Sequence, residues 1–396
     1  MPVTTIYKGS ATQANTSGNV RAAMRSAHFK SALLPLVSAL FLAGCLDSGS
    51  SGGDDDSETG QIMPAGISGL SYTTASHNGT TDSEGRYHYY PGETLNLKVG
   101  NLQLASGVPV RPVVTPLEFF PDLRAALQIS GTTDEGLQSH RITEQQLLQD
   151  VPLINMTRFL LALNWTANIA DGEGIDIRSR VIEQLNAALT ELDEPIDFTV
   201  PQDEFEAAGD IPSPANQVLS RICFYPEDNE LCDPAPTDEE IAAAPERPED
   251  EDERDEDVEY REDLENKRDR IRNAARSLED ADVDDARNYL TRELDAISTQ
   301  LANRYYLNDD VVAWPATDTA TKTVSVRKIG GEPQLEDIEA VSTREQDVVV
   351  HSFGWQSASV EYFVAGESGA ESELLVNFRP EDTYRWVKKQ LRVIIE

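Results

Sequence analysis

The chain has 396 residues, with 70 acidic against 33 basic side chains and a formal net charge of −37. That balance excludes nucleic acid and anionic lipid surfaces as electrostatic partners and favours solubility, divalent cations or high external salt, the last requiring no binding role at all. The length suits two or three domains, and the three cysteines are too few for a disulfide scaffold.

Residues 1 to 44 read as an export signal. Arg21, Arg25 and Lys30 form a basic region, Ala32 to Leu42 is almost wholly apolar, and Leu42-Ala43-Gly44-Cys45 ends the run on small residues and a cysteine. This order of basic, apolar and small-residue segments marks a secretory signal. Met24 is a candidate start, because the polar residues before it add nothing to the signal. The apolar run is shorter than the roughly 20 residues a spanning helix needs. With Cys45 at the cut, the segment resembles the lipobox of bacterial lipoproteins processed by signal peptidase II. That resemblance implies acylation of Cys45, palmitate included, and a membrane partnership through lipid alone. Leu46 follows the cysteine where Asp would favour inner-membrane retention in enteric-type sorting, so the expected destination is the outer membrane, on its periplasmic face or at the cell surface. Cleavage removes four basic residues and no acidic one, leaving the mature chain more acidic still.

Residues 45 to 64 are rich in Ser, Gly and Asp and read as a flexible tether. The expected β module spans 65 to 110. Gly69 to Thr74 reads as a strand, a Gly/Thr/Asp/Ser turn feeds Arg86 to Tyr90, and Leu95, Leu97 and Val99 alternate onto one face. The pattern Thr81-Asp82-x-x-Gly85-x-Tyr87-x-Tyr89, followed by Gly92-Glu93, resembles the carboxypeptidase-regulatory-like and prealbumin-like β modules of surface proteins. The resemblance covers about 40 residues and implies a spacer or adhesive unit rather than a catalytic one.

From 111 to 232 the pattern is helical. Thr115-Pro116-Leu117-Glu118 starts like a capped helix. Val151 to Leu163 is apolar enough to be a buried helix, and Ile177, Val181, Leu185, Leu189 and Leu192 recur at helical spacing. Asn155, Arg158 and the run Leu160 to Leu163, followed by the loop residues Asn164, Asn168, Asp171, Gly172 and Glu173, resemble uncharacterised lipoproteins of marine gammaproteobacteria. Many of those carry the label organic solvent ABC transporter permease, which cannot describe a chain without spanning helices. Asp171, Glu173 and Asp176 are calcium candidates, since hard cations want several oxygens, although the spacing is not that of an EF-hand and Gly172 and Gly174 explain the loop as a turn. Cys223 and Cys232 flank a turn-forming stretch in an export context, which predicts a local disulfide; no zinc motif fits them.

Residues 233 to 258 form an acidic tract expected to stay flexible through self-repulsion. Two narrow apolar stripes follow, Leu264, Ile271 and Leu278, then Leu290, Leu294, Ile297 and Leu301. They predict a coiled-coil-like helical hairpin over 259 to 307, available to a protein partner. From 308 to 396, Thr321 to Val326, Asp347 to His351, Ser357 to Val364, Glu373 to Phe378 and Tyr384 to Ile395 read as strands of a small antiparallel sheet or sandwich.

The expected fold class is therefore α+β: a small N-terminal antiparallel β module, a helical middle with a hairpin, and a C-terminal antiparallel sheet or sandwich. Chemical motifs are sparse. Gly49-Ser50-Ser51-Gly52-Gly53 matches a nucleophile elbow only in letters, because it lacks the flanking strand and helix. Ser325-Val326-Arg327-Lys328 matches Ser-x-x-Lys on a strand without companion motifs. His77 and His88 flank one turn without a third ligand, and His351 reads as a structural histidine. The expected function is a non-catalytic outer-membrane lipoprotein acting as a binding or scaffold protein, adhesive in one version, with no cofactor. The alternatives are an accessory subunit of an envelope transport or assembly system, and a hydrolase with an unrecognised site.

Overall fold

The computed structural model describes residues 57–396 except Asn168, Ala170, Asp171, Asp210 and Glu256. The expectations for the signal, for Cys45 and for most of the tether fall outside the described residues.

The mixed α+β class is observed. The N-terminal strands are β1 (Glu58–Ile62), β2 (Ile67–Ser68), β3 (Ser71–Thr73), β4 (Asn78–Thr80), β5 (Arg86–Tyr89), β6 (Thr94–Val99), β7 (Leu102–Pro109) and β8 (Val113–Val114). They form a four-stranded sheet, β4-β3-β6-β7, and a three-stranded one, β5-β1-β8, in which β1 runs antiparallel to β5 and parallel to β8. Leu95, Leu97 and Val99 are all buried on one face of β6, as their alternation requires. The tether reading fails at its C-terminal end: Gly60 to Ile62 pair in β1, and Ile62 and Met63 are fully buried. A Gln-Ile-Met run carries apolar surface that the preceding Ser/Gly/Asp residues lack.

The middle of the chain comprises α1 (Pro121–Ala126), β9 (Gly131–Thr132), β10 (Gln138–Ser139), α2 (His140–Leu147), α3 (Val151–Ala162), β11 (Ile175–Asp176), α4 (Ser179–Leu189), α5 (Gln202–Phe205) and α6 (Pro214–Leu219). Helix α3 starts on Asp150, whose carboxylate accepts from Leu153 N at 3.0 Å with Pro152 in the first turn. It is buried on nearly every side, as an apolar helix must be. The β module is not separate: Leu95, Leu97 and Val108 share one hydrophobic core with Phe159, Leu160, Val181 and Leu290.

Next come α7 (Asp238–Ala243), α8 (Arg261–Ala274) and α9 (Val283–Asn303). The predicted hairpin does not form. Helix α9 lies on α3, whereas α8 lies on α7 and on the 3-10 turn Glu230–Cys232. The reason is the width of the stripes. Helix α9 buries Ala286, Tyr289, Leu290, Leu294 and Ile297 and has the broad apolar face that a core demands, while α8 buries no residue. The acidic tract is likewise not a free connector. Thr237 caps α7 through Glu240 N, Ile241 is buried, and cations supplied mostly by α8 pair the carboxylates: Lys267 with Asp233, Arg268 with Asp238, Arg270 with Glu230 and Arg261 with Glu246. Composition shows the self-repulsion within the tract but not the neighbouring helix whose cations pair with part of it.

The C-terminal strands are β12 (Tyr305–Leu307), β13 (Val311–Trp314), β14 (Lys322–Lys328), β15 (Leu335–Ser342), β16 (Val348–Gly354), β17 (Ser359–Val364), β18 (Glu371–Pro380) and β19 (Val387–Ile395). Two sheets, β12-β14-β17-β16 and β13-β19-β18-β15, enclose a second core of residues such as Val326, Val360, Val376, Phe378 and Val393. Tyr305 packs edge-on to Phe378 at 5.3 Å, and the Trp314 indole N–H donates to the Tyr362 hydroxyl at 3.2 Å, so side chains interdigitate between the sheets as in a sandwich. Pairing is antiparallel except between β13 and β19. The final strand begins at Val387 rather than Tyr384, which leaves Tyr384, Arg385 and Trp386 for another task.

Candidate functional site

The chemistry-bearing side chains gather where the two cores meet. Helix α2 places His140 and Glu144 one turn apart on one face, and the segment before β19 brings Tyr384, Arg385 and Trp386 against them. All of these but Trp386 are buried. The Tyr384 hydroxyl donates to Glu144 Oε1 at 2.8 Å, Arg385 Nε donates to the same oxygen at 3.2 Å, and Arg385 Nη2 donates to the Tyr384 oxygen at 2.6 Å. Burial pushes the Glu144 carboxyl up, opposed by Arg385 and Tyr384. Burial also works against the Arg385 cation, but Tyr384 and Glu144 outweigh it and hold its pKa above the ordinary value. The cation therefore persists in the interior because its acidic partner is built in with it.

His140 invites a catalytic reading, since its Nε2 lies 3.0 Å from Ser298 Oγ on α9. The other ring nitrogen decides against it. Trp386 N–H donates to Nδ1 at 2.9 Å, so Nδ1 carries a lone pair and the single proton of the neutral ring sits on Nε2. Burial first, then Arg385 and Arg141, depress the His140 pKa to about 3, so the ring stays neutral. Nε2–H then donates to Ser298, the reverse of a general base withdrawing the serine proton. Glu144 at 3.9 Å from Nε2 forms no ion pair with a neutral ring. The group is a clamp that ties α2 and α9 to the sandwich.

Beside this clamp lies a cleft of about 320 Å³. Its walls come from Arg111 before β8, Arg304 and Tyr305 at the end of α9, Lys328 at the end of β14, and the turn Glu381-Asp382-Thr383. Arg385 reaches both the clamp and the cleft. Asp382 has φ 62, an uncommon conformation for a non-glycine residue, and its carbonyl is held by Arg111 Nη1 at 3.1 Å. Clamp and cleft draw on segments far apart in the sequence, and only the His140/Glu144 spacing on a helix offered a local signal for the clamp.

The residues singled out by sequence fare differently. Cys223 and Cys232 are joined in a disulfide. Asn155 and Arg158 are structural. Asn155 Nδ2 donates to Phe198 O and Val200 O, at 3.0 and 2.9 Å. Arg158, 1 % exposed, donates to Ala281 O at 2.8 Å and Leu278 O at 2.9 Å, and its Nη1 lies 2.8 Å from the Glu206 carboxylate. Asn164 closes the following loop by accepting from Asp176 N. Of the calcium candidates, Asp171 lies outside the described residues. The Asp176 carboxylate accepts from Arg178 at 3.0 Å and Ser68 at 3.2 Å, and the Glu173 carbonyl accepts from Arg292. Among the described residues no three His, Cys, Asp or Glu side chains are grouped to hold a metal ion.

The remaining histidines and the Ser-x-x-Lys pair lie on strands or beside them. The His77 and His88 rings approach to 6.2 Å, and Ser76 Oγ lies 2.7 Å from His77 Nδ1. His351 is not a buried structural histidine. It sits exposed at a bulge in β16, edge-on to Phe363. Ser325 and Lys328 are three apart on β14 and thus face opposite sides of the sheet.

A second cavity, of about 560 Å³, lies between α3 and the first half of α9, lined by Leu161, Ala281 and Tyr289 with Asp280, Asp285 and Arg292 among its polar walls. The Tyr289 hydroxyl is buried and has no hydrogen-bond partner among the described residues, and burial pushes its pKa up.

No known protein family matches the chain, and no curated protein matches it.

Proposed function

We propose that the protein is a lipid-anchored, non-catalytic binding or scaffold protein of the bacterial outer membrane. The carrying observation is Leu42-Ala43-Gly44-Cys45 at the end of an apolar run preceded by basic residues. Several features support the reading. The first described strand, β1, begins at Glu58, so the Ser/Gly/Asp run of the sequence falls between Cys45 and that strand. No helix among the described residues is long and apolar enough to cross a membrane. The Cys223–Cys232 disulfide suits an oxidising compartment. Hydrolysis is disfavoured by the tautomer of His140, which cannot activate Ser298. An accessory subunit docking through a helical hairpin is disfavoured because α8 and α9 do not pair.

Expression with radiolabelled palmitate and membrane fractionation test the reading. Wild type should incorporate label and sediment with outer membrane, and Cys45→Ala should do neither. A Cys45→Ala chain that is processed and sediments as wild type does would remove the anchor.

A further inference from the structure

The junction cleft is unusual for so acidic a chain, because it holds cations that no carboxylate neutralises. Among the described residues, the side chains of Arg304 and Lys328 make no hydrogen bond and no ion pair, although Lys328 Nζ stands 6.0 Å from the centre of the Tyr305 ring. The Tyr305 hydroxyl has no partner among them either. Arg304 precedes Tyr305 in the chain, and burial raises the Tyr305 pKa against the pull of that cation, which keeps the hydroxyl a donor at neutral pH. Arg385 lines the same cleft with Nε and Nη2 already committed to Glu144 and Tyr384. A basic residue at a helix C-terminus is favoured by the helix dipole. That accounts for Arg304 at the end of α9, and Glu144 accounts for Arg385, but neither accounts for Lys328, which the pairing of β12 with β14 sets opposite Tyr305.

The same cleft also carries the opposite charge. Glu381 and Asp382 are exposed and make no ion pair among the described residues, and the left-handed backbone at Asp382 is pinned by Arg111. Cations and acids without protein partners among the described residues thus line one cleft, where only water meets their charge. They complement one molecule that carries both charges. The cleft volume of about 320 Å³ admits a small molecule rather than a chain.

We propose that this cleft binds a small zwitterion, its oxyanion held by Arg304, Lys328 and the Tyr305 hydroxyl and its ammonium group by Glu381 and Asp382. Arginine presents a fork that matches a phosphate or carboxylate, and lysine adds a point charge. The ligand chemistry is that of a phosphoethanolamine, and its source is either a free solute or a lipid headgroup. This inference stands apart from lipidation, since it concerns the folded body alone.

The test is calorimetric titration of the full chain in a non-ionic detergent with phosphoethanolamine, inorganic phosphate and ethanolamine. Phosphoethanolamine should bind about tenfold or more tighter than either half alone, a difference of about 1.4 kcal/mol. Arg304→Gln with Lys328→Gln should weaken it at least about tenfold, while Glu381→Gln with Asp382→Asn should abolish its advantage over phosphate. All four positions are solvent-facing or half-buried, so circular dichroism and melting temperature should confirm an unchanged fold. Absence of binding by wild type, binding undiminished in Arg304→Gln/Lys328→Gln, or phosphate bound as tightly as phosphoethanolamine would each overturn the proposal. Micelles carrying lysophosphatidylethanolamine separate the sources. Binding of the soluble probe alone supports the site with a free solute as ligand, and binding of both supports it with a headgroup.

Discussion

Trp386 donates its backbone N–H to Nδ1 of His140 at 2.9 Å, across a separation of 246 residues. One backbone bond thereby selects the tautomer of a buried ring, orients it at Ser298, and joins the segment leading into the last strand of the sandwich to a helix of the other core. The junction is consequently sensitive to protonation.

The His140 pKa is depressed to about 3 by burial and by Arg385 and Arg141. The unfolded chain titrates His near 6.5, so it binds the proton that the folded chain refuses. Stability from this group is complete above about pH 6.5 and is withdrawn as pH falls toward 3, at up to about 1.4 kcal/mol per unit. Glu144, its pKa raised by burial, acts in the opposite sense, favouring the folded state at low pH and losing that contribution as pH rises through its folded pKa. The difference in melting temperature between wild type and His140→Gln, followed from pH 7.5 to 4, isolates the histidine: it should narrow on acidification. A constant difference would mean the ring is not held neutral.

Arg158 should be the costliest single cation to remove. It satisfies two buried carbonyls at the turn before α9, and Arg158→Met orphans both at a cost of about 3 kcal/mol or more. Arg158→Lys should recover less than half of that, because an ammonium cannot reproduce the fork. Urea unfolding followed by circular dichroism measures both; a loss below about 1 kcal/mol for Arg158→Met would contradict this role for Arg158.

Helix α8 is held by charge more than by burial. Its ion pairs reach Glu230, Asp233, Asp238 and Glu246, and it buries no side chain. Raising ionic strength from 0.1 M to 1 M shortens the screening length from about 10 Å to about 3 Å. Amide hydrogen exchange across α8 should therefore accelerate in 1 M salt while exchange in α9 stays slow. Equal protection of the two helices at both salt concentrations would show that packing, not pairing, retains α8.

Tyr289→Phe should stabilise the protein by about 1 kcal/mol, because it deletes a buried hydroxyl without a partner among the described residues and keeps the ring. A fall in melting temperature would instead mean that the hydroxyl is satisfied, by water in the adjoining cavity or otherwise.

Local pattern determined much of this molecule. Leu95, Leu97 and Val99 alternate because a strand has a period of two, the apolar run from Val151 is helical and buried, and two cysteines nine apart across a turn can close on each other. Each of these follows from residues within reach of their own neighbours. What the tertiary structure alone decided is how distant segments choose one another. Two stripes joined by a short turn read as a hairpin, yet α9 has the wider apolar face and takes α3, leaving α8 to α7 and to ion pairs with the acidic tract. Arg158, legible only as part of a motif, acts on carbonyls more than 100 residues away. His140, Glu144, Tyr384 and Arg385 carry no common signal, because the energy that joins them arises only when two hydrophobic cores have already brought their elements together. Periodicity reports which face of an element is apolar; it does not report which partner will cover that face, since the burial free energy depends on area and fit rather than on sequence order.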